Sequence, residues 1–390
     1  MKKNTIIVLI LGVFSVLCTE LGVVGILPAI SDTFQISIAK AGMLISMFAL
    51  VVAISALTMP LILSRVNRKI VMLVSLSVFT ICDLCSAFAA SFSALLALRM
   101  IAAIFQPVYV SMAFTIAGAS VRKEDVPKAT AKVMMGVSAA MVLGGPVAAL
   151  IVNLASLRMG YCFFALLNAV ALVTTLICVP TMPVSNKLSY GSQIRILKRF
   201  LTWVSIVGII CFNAAVMGVY SYLSEYVVKV TGLPAHWISI LLMIYGVANV
   251  VGNAVAGRML SSKPFSFVLI TPTLLGVVYL LLLFFGHFTL PLVLITLAWG
   301  VLGGCAGIIY QYWISSAAPD APDFANGVFL ASGNVGVMVG TAACGLVISK
   351  MGLAFKPFSG IIFLILTLLA FMLRINYQKE PSCQKQLDLE

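Results

Sequence analysis

The sequence predicts an all-α membrane protein: twelve transmembrane helices in two six-helix bundles. Composition, the number of long apolar stretches and the placement of the basic residues predict it. Of 390 residues, 62% are hydrophobic and only 9% are charged. A soluble domain carries about 25% charged and 45–50% apolar residues. A soluble fold of this length could not hide so much apolar surface, so a bilayer must serve as the solvent.

A helix crossing about 30 Å of hydrocarbon needs about 20 mainly apolar residues. Such stretches occur in order at 5–29, 40–63, 69–90, 94–119, 129–153 and 159–180. After a polar break they resume at 201–228, 237–260, 265–286, 290–317, 325–349 and 355–376. The first imitates a secretory signal, with Lys2 and Lys3 ahead of an apolar run. Its length, the acid Glu20 and the lack of a clean small-residue cleavage site make it the first span instead. The break at 181–200 holds Pro183, Gly191 and several bases, and is the longest polar stretch between spans. It divides the chain into an N-terminal bundle (1–180), a linker (181–200), a C-terminal bundle (201–377) and a polar tail (378–390). Two such halves around a midplane site are a common transporter plan.

The net charge of +13 would suggest nucleic-acid binding in a soluble protein. No basic run here alternates with exposed aromatics, and the bases follow topology. With the N-terminus inside, eighteen Lys and Arg fall in inner segments, five in outer ones, and Arg99 inside a span. The positive-inside rule therefore expects a multi-pass protein of the cell membrane with both termini cytoplasmic. Cys82 and Cys85 form a C-x-x-C, which inside an apolar helix reads as small filler rather than redox chemistry. His236 and His287 lie away from the hydrophobic centres, and no metal-ligand spacing occurs. No cofactor is expected, and a polytopic enzyme would need convergent catalytic groups that are missing.

Charge within hydrocarbon is costly and usually functional. Glu20, Asp83 and Arg99 are such charges, and Glu225 stands near the outer end of its span. At 1.5 Å per residue, Glu20 and Asp83 lie about 24 and 21 Å from the inner face, and Arg99 about 9 Å below the outer one. All three fall in the outer half and could form one network. Burial disfavours a carboxylate's charged form and a neighbouring Arg favours it, so an acid balanced between the two can exchange protons near neutrality. Glu20 is expected to be the main proton carrier, with Arg99 tuning it. Asp83 is a second carrier or the structural partner of Arg99. A static Asp83–Arg99 pair with Glu20 merely lining a wet cavity is the competing reading.

The fifth span carries Gly144, Gly145 and Pro146 in GVSAAMVLGGPVAAL, small residues that allow close helix approach and a Pro that bends the helix. The first span carries TELGVVGILPAI and the fourth LLALRMIAAIFQPVYVSMA. The second half adds YSYL at 220–223, YGVANVVGNAVAGR, WGVLGG at 299–304, AAPDAPD at 317–323 and GNVGVMVG at 333–340. In this order, nearly end to end, they resemble the major facilitator superfamily. The likeness is to its twelve-helix drug/proton antiporter branch and to the bacterial sugar, arabinose and purine efflux pumps. The resemblance places Glu20 on the branch's first-span acid, Arg99 on the motif B arginine, and Gly144–Gly145–Pro146 on motif C. Motif A departs from its pattern: PLILSRVNRK at 60–69 keeps Arg65, Arg68 and Lys69, but Ser64 replaces the acid that helps latch the inner side. Those three bases are either conformational or only topological.

The resemblance implies a proton-coupled exporter of small organic molecules, drug-, purine- or sugar-like, working as a monomer by alternating access and powered by the proton gradient. An uptake symporter or uniporter on the same fold is the alternative, and a non-transporting sensor the remote one. The substrate would lie between the halves. Helical spacing nominates Gln106 and Tyr109 on the fourth span, Asn213, Met217 and Tyr220 on the seventh, and Tyr245 on the eighth. Tyr310 and Gln311 on the tenth and Asn334 on the eleventh complete the set. Uncharged hydrogen-bonding groups with aromatic faces suit a flat or polyol-like molecule; packing with hydrogen-bond glue is the plainer reading.

Overall fold

The computed structural model describes residues 3–63, 66–119, 126–180, 199–262, 264–317 and 322–379. The linker at 181–198, Ser64, Arg65, residues 318–321 of AAPDAPD and the tail from 380 lie outside the described residues.

Helices account for nearly all of it. In order they are α1 (Lys3–Thr33), α2 (Ile38–Ala41), α3 (Met43–Ile62), α4 (Arg68–Ser86), α5 (Phe92–Ala119), α6 (Val126–Leu154) and α7 (Leu157–Cys178). Then come α8 (Phe200–Tyr220), α9 (Leu223–Lys229), α10 (His236–Ser262), α11 (Pro264–Phe285), α12 (Thr289–Ala317), α13 (Pro322–Met351) and α14 (Lys356–Lys379). Twelve segments are long and apolar enough to cross a bilayer, with α2–α3 and α8–α9 each serving as one. No strand occurs among the described residues. In hydrocarbon every backbone N–H and C=O must be satisfied within the chain, and a helix does so locally.

Local chemistry sets the ends. Asn67 caps α4 by accepting from the Lys69 amide at 3.0 Å, and Ser156 caps α7 by accepting from the Met159 amide at 3.3 Å. Proline opens α11 and α13 at the position where its missing N–H costs nothing. Gly352 follows α13 at φ +96, a left-handed conformation that glycine adopts without strain.

The chain forms two compact units, Met1–Leu188 with Ser221–Gly246, and Ser189–Tyr220 with Val247–Glu390. In the first, α1 packs against α6 and α7, while α5 lies against α3 and α4. The α1–α6 seam is glycine-lined. A Cβ added at Gly25 would sit 2.3 Å from the Gly145 carbonyl oxygen, and one at Gly136 2.6 Å from that of Ile10. In the second unit, α8 packs against α13 and α14, and α11 against α12 and α14. Glycine again sets the spacing: a Cβ at Gly340 would lie 2.3 Å from the Ala214 carbonyl oxygen.

Candidate functional site

The first unit brings Glu20, Asp83 and Arg99 together on α1, α4 and α5. Asp83 and Arg99 are each only 3% exposed, whereas Glu20 keeps part of its surface open. Arg99 is held by backbone: Nη1 donates to the Thr19 carbonyl at 3.1 Å and Nε to the Leu44 carbonyl at 3.4 Å. Its guanidinium stacks over the Phe48 ring, 4.7 Å from the centroid. Among the described residues no acid forms an ion pair with Arg99, although its charge acts on both Glu20 and Asp83.

Asp83 instead accepts from neutral donors. Thr19 Oγ1 and Asn168 Nδ2 each reach its Oδ2 at 3.0 Å, and the Asn168 amide also donates to Thr19 Oγ1 at 2.9 Å. Sequence reasoning missed Thr19 and Asn168. Thr19 precedes Glu20 in TELG, and Asn168 is a lone amide in the apolar run FFALLNAVALV; no uncharged polar residue in a span announces which partner it serves.

Glu20 has a different partner. Gln106 Nε2, two helical turns beyond Arg99 on α5, donates to Glu20 Oε2 at 2.7 Å. A residue expected to bind substrate therefore touches the residue expected to carry the proton. The other end of the amide, Gln106 Oε1, is buried with no hydrogen-bond partner.

The remaining expected lining residues fall in varied settings. Tyr109 is fully buried, and its hydroxyl occupies the space a Cβ at Gly12 would take, 1.6 Å away. Tyr245 belongs to the first unit and is also buried. In the second unit Asn213 donates to the Gly333 carbonyl at 2.5 Å, tying α8 to α13, and Asn334 donates to Leu330 in its own helix. Tyr220 packs edge-on to Trp299 with centroids 6.2 Å apart, and Tyr310 packs the same way on Phe212 at 5.2 Å. Met217 is half-buried and Gln311 is exposed.

Gly145 meets α1 at Gly25 and Gly144 faces Cys18, so these two fifth-span glycines line the α1–α6 seam, and Pro146 after them is buried. Arg68 begins α4, and the Lys69 ammonium donates to the Leu176 carbonyl at 2.8 Å, tying the first turn of α4 to the last turn of α7. Arg65 lies outside the described residues. Eight cysteines are free thiols, Cys82 buried and Cys85 exposed, and no group of His, Cys, Asp or Glu able to hold a metal occurs among the described residues.

Two bases counted with the loops are buried in the second unit. Lys356 is 0% exposed beside the Trp299 ring. Arg374 is 1% exposed; Nη1 donates to Ser205 Oγ at 2.9 Å and to the Trp313 carbonyl, and Nη2 to Ser316 Oγ at 2.8 Å.

Comparison with known proteins identifies the family. The model of the Major Facilitator Superfamily matches residues 9–341. The inner membrane transport protein YdhP of Escherichia coli K12 is 25% identical over 98% of this chain and 99% of its own length. A probable sugar efflux transporter of Helicobacter acinonychis is 26% identical over 88% of each chain. Among solved structures, a bacterial homolog of the human lysosomal transporter Spinster superposes with a TM-score of 0.80 at 14% identity, over 96% of this chain and 97% of that one. The nucleoside transporter NupG does so with 0.78 at 15%, over 97% and 100%.

Proposed function

Because this chain belongs to the Major Facilitator Superfamily and is therefore a membrane transporter rather than an enzyme, we propose that it is a proton-coupled exporter of small organic molecules. The observation that carries this reading is the Glu20–Gln106 contact, an acid within a membrane span bonded to a neutral amide. Glu20 takes up and releases the proton. Arg99 holds a fixed positive charge behind it, and Asp83, buried and bound to neutral donors, is the second acid of the network. Transport proceeds by alternating access, with two six-span halves, 1–180 and 201–377, separated in the chain by the linker at 181–200. Gly144, Gly145 and Pro146 bend the fifth span, while Arg65, Arg68 and Lys69 support the inner loop. Relatives named as sugar efflux transporters support export and a polyol-like substrate. The protein works as a monomer in the cell membrane with both termini cytoplasmic, and the proton gradient is its energy source.

Reconstitution tests this. Proteoliposomes with an imposed pH gradient are screened with arabinose, adenosine and a hydrophobic cationic dye. Proton-driven exchange of at least one probe is expected, and Glu20→Gln should reduce the proton-driven component about tenfold or more while sparing downhill counterflow. Full retained coupling in that variant removes Glu20 from the mechanism, and substrate accumulation in step with proton entry identifies symport instead.

A further inference from the structure

We propose that the Ser224 hydroxyl and the Val24 carbonyl form a reversible latch, made available by Pro28, that holds α9 on α1 and releases when the outer side opens. This rests on the alternating-access reading above, in which cytoplasmic termini put α9 on the outer side.

The latch begins with a gap in the hydrogen bonding of α1. In an α-helix each carbonyl accepts from the N–H four residues on, so the Val24 carbonyl calls for a donor at residue 28. Residue 28 is a proline inside the helix. It has no N–H, and its ring crowds the carbonyl four residues earlier. The helix nevertheless runs on to Thr33. Val24 is buried, and a backbone carbonyl left without a donor in hydrocarbon is costly. Ser224 supplies the donor: its hydroxyl, on a residue 0% exposed, donates to the Val24 carbonyl at 2.6 Å.

A serine within a helix often donates to its own backbone one turn back. Ser75, Ser86 and Ser205 do so, each to the carbonyl four residues earlier. Ser224 stands just past the break between α8 and α9 and reaches across to another helix instead.

The segment Ser221–Gly246 belongs to the first unit, and shape and neutral bonds hold the rest of it there. Tyr222, in the break, lays its hydroxyl against Gly42, where a Cβ would collide. On α10, a Cβ at Gly246 would fall 2.6 Å from Val142 Cα on α6. Near the end of α6, Asn153 donates to the Ala235 carbonyl at 3.0 Å in an exposed bond. Glu225 pairs with Lys229 of its own helix at 2.6 Å, with Asp32 of α1 nearby, and among the described residues no ion pair crosses from α9 to α1. A neutral hydrogen bond has a small net strength, so it can break and re-form in each cycle. Val24 lies one turn from Glu20 toward Thr33, which puts the latch between the proposed proton carrier and the outer face. On release, water entering from outside replaces the serine as donor to the carbonyl.

Hydrogen–deuterium exchange of the purified protein in nanodiscs tests the latch, read by mass spectrometry on peptides covering 221–229. In Ser224→Ala these amides should exchange about tenfold faster, because the Val24 carbonyl loses its donor and undocked α9 is favoured. Peptides from α4 and α7 around Asp83 and Asn168 should not change. Pro28→Ala, or Pro28→Ser should that variant fold poorly, gives residue 28 an N–H for the Val24 carbonyl. In that background Ser224→Ala should change exchange by less than about threefold, since the carbonyl then keeps a donor. Unaltered exchange of α9 in Ser224→Ala overturns the latch, and so does an equal effect in both backgrounds. Faster exchange throughout the chain makes Ser224 a general support of the fold and overturns it too. The measurement uses no gradient and no solute, so the latch stands or falls separately from proton coupling, which the proteoliposome assay decides.

Discussion

The α1–α6 seam gives a quantitative prediction at Gly25. In Gly25→Ala the new Cβ falls 2.3 Å from the Gly145 carbonyl oxygen and 3.0 Å from its carbon. An ordinary carbon–oxygen contact is about 3.3 Å or longer, so the helices must part by about 1 Å. Both obstructing atoms are backbone, and no rotamer change relieves them. Overpacking of this kind costs about 1–3 kcal/mol, and the gain of up to about 1 kcal/mol for Ala over Gly within a helix offsets part of it. A net loss of about 1–2 kcal/mol follows. Two internal controls come from the same geometry. Gly144→Ala meets its nearest neighbour, Cys18 Cα, at 3.4 Å, an ordinary contact, and Gly257→Ala meets nothing within 4 Å. Both should be neutral or slightly stabilising. Unfolding of purified protein by SDS in mixed micelles, followed by tryptophan fluorescence, ranks the three. Should Gly144→Ala prove as damaging as Gly25→Ala, close approach of α1 and α6 is not what the glycines provide.

Two further substitutions probe the buried polar groups by the same unfolding assay. Asn168→Leu removes the amide from Asp83 and Thr19 and should lower stability by about 2 kcal/mol; an unchanged midpoint would mean that water or another group replaces the amide at no cost. Arg374→Lys loses the fork that spans Ser205 and Ser316, on α8 and α12, and should cost about 1.5 kcal/mol or more, because an ammonium cannot serve both hydroxyls in that geometry. Wild-type stability in that variant would make the guanidinium a bystander.

The spans were legible because lipid forces a coarse code: a run long and apolar enough to cross must be a helix. What the code lacks is depth near the ends of a run. Lys356 and Arg374 lie at opposite ends of the last span, and the positive-inside count treats both as loop bases, yet each side chain is buried among helices of its own unit. The code is also silent on breaks. The seventh span stops at Tyr220 and restarts at Leu223 as α9, within the YSYL motif, where no Pro or Gly marks it. In the candidate site the charged members were legible because charge in hydrocarbon is rare. Thr19 and Asn168 were not, since polar uncharged residues serve equally as helix glue, and only their spacing in three dimensions tells the uses apart.

The way Arg99 is held bears on how the proposed site could work at all. Removing one member of a buried ion pair leaves a charge without compensation, at a cost of about 3–5 kcal/mol. An acid locked in such a pair resists changing its proton. Arg99 avoids this by resting on two carbonyls and the Phe48 face, which do not titrate. Its charge persists whatever Glu20 and Asp83 do, and neither acid must break a direct contact with it to change state. Asp83 likewise depends on Thr19 and Asn168, whose bonds tolerate either form of the carboxyl. The same arrangement makes Glu20→Gln an interpretable variant: it removes a titrating group while every described anchor of Arg99 stays in place, so a loss of proton coupling there would report on the proton and not on the fold.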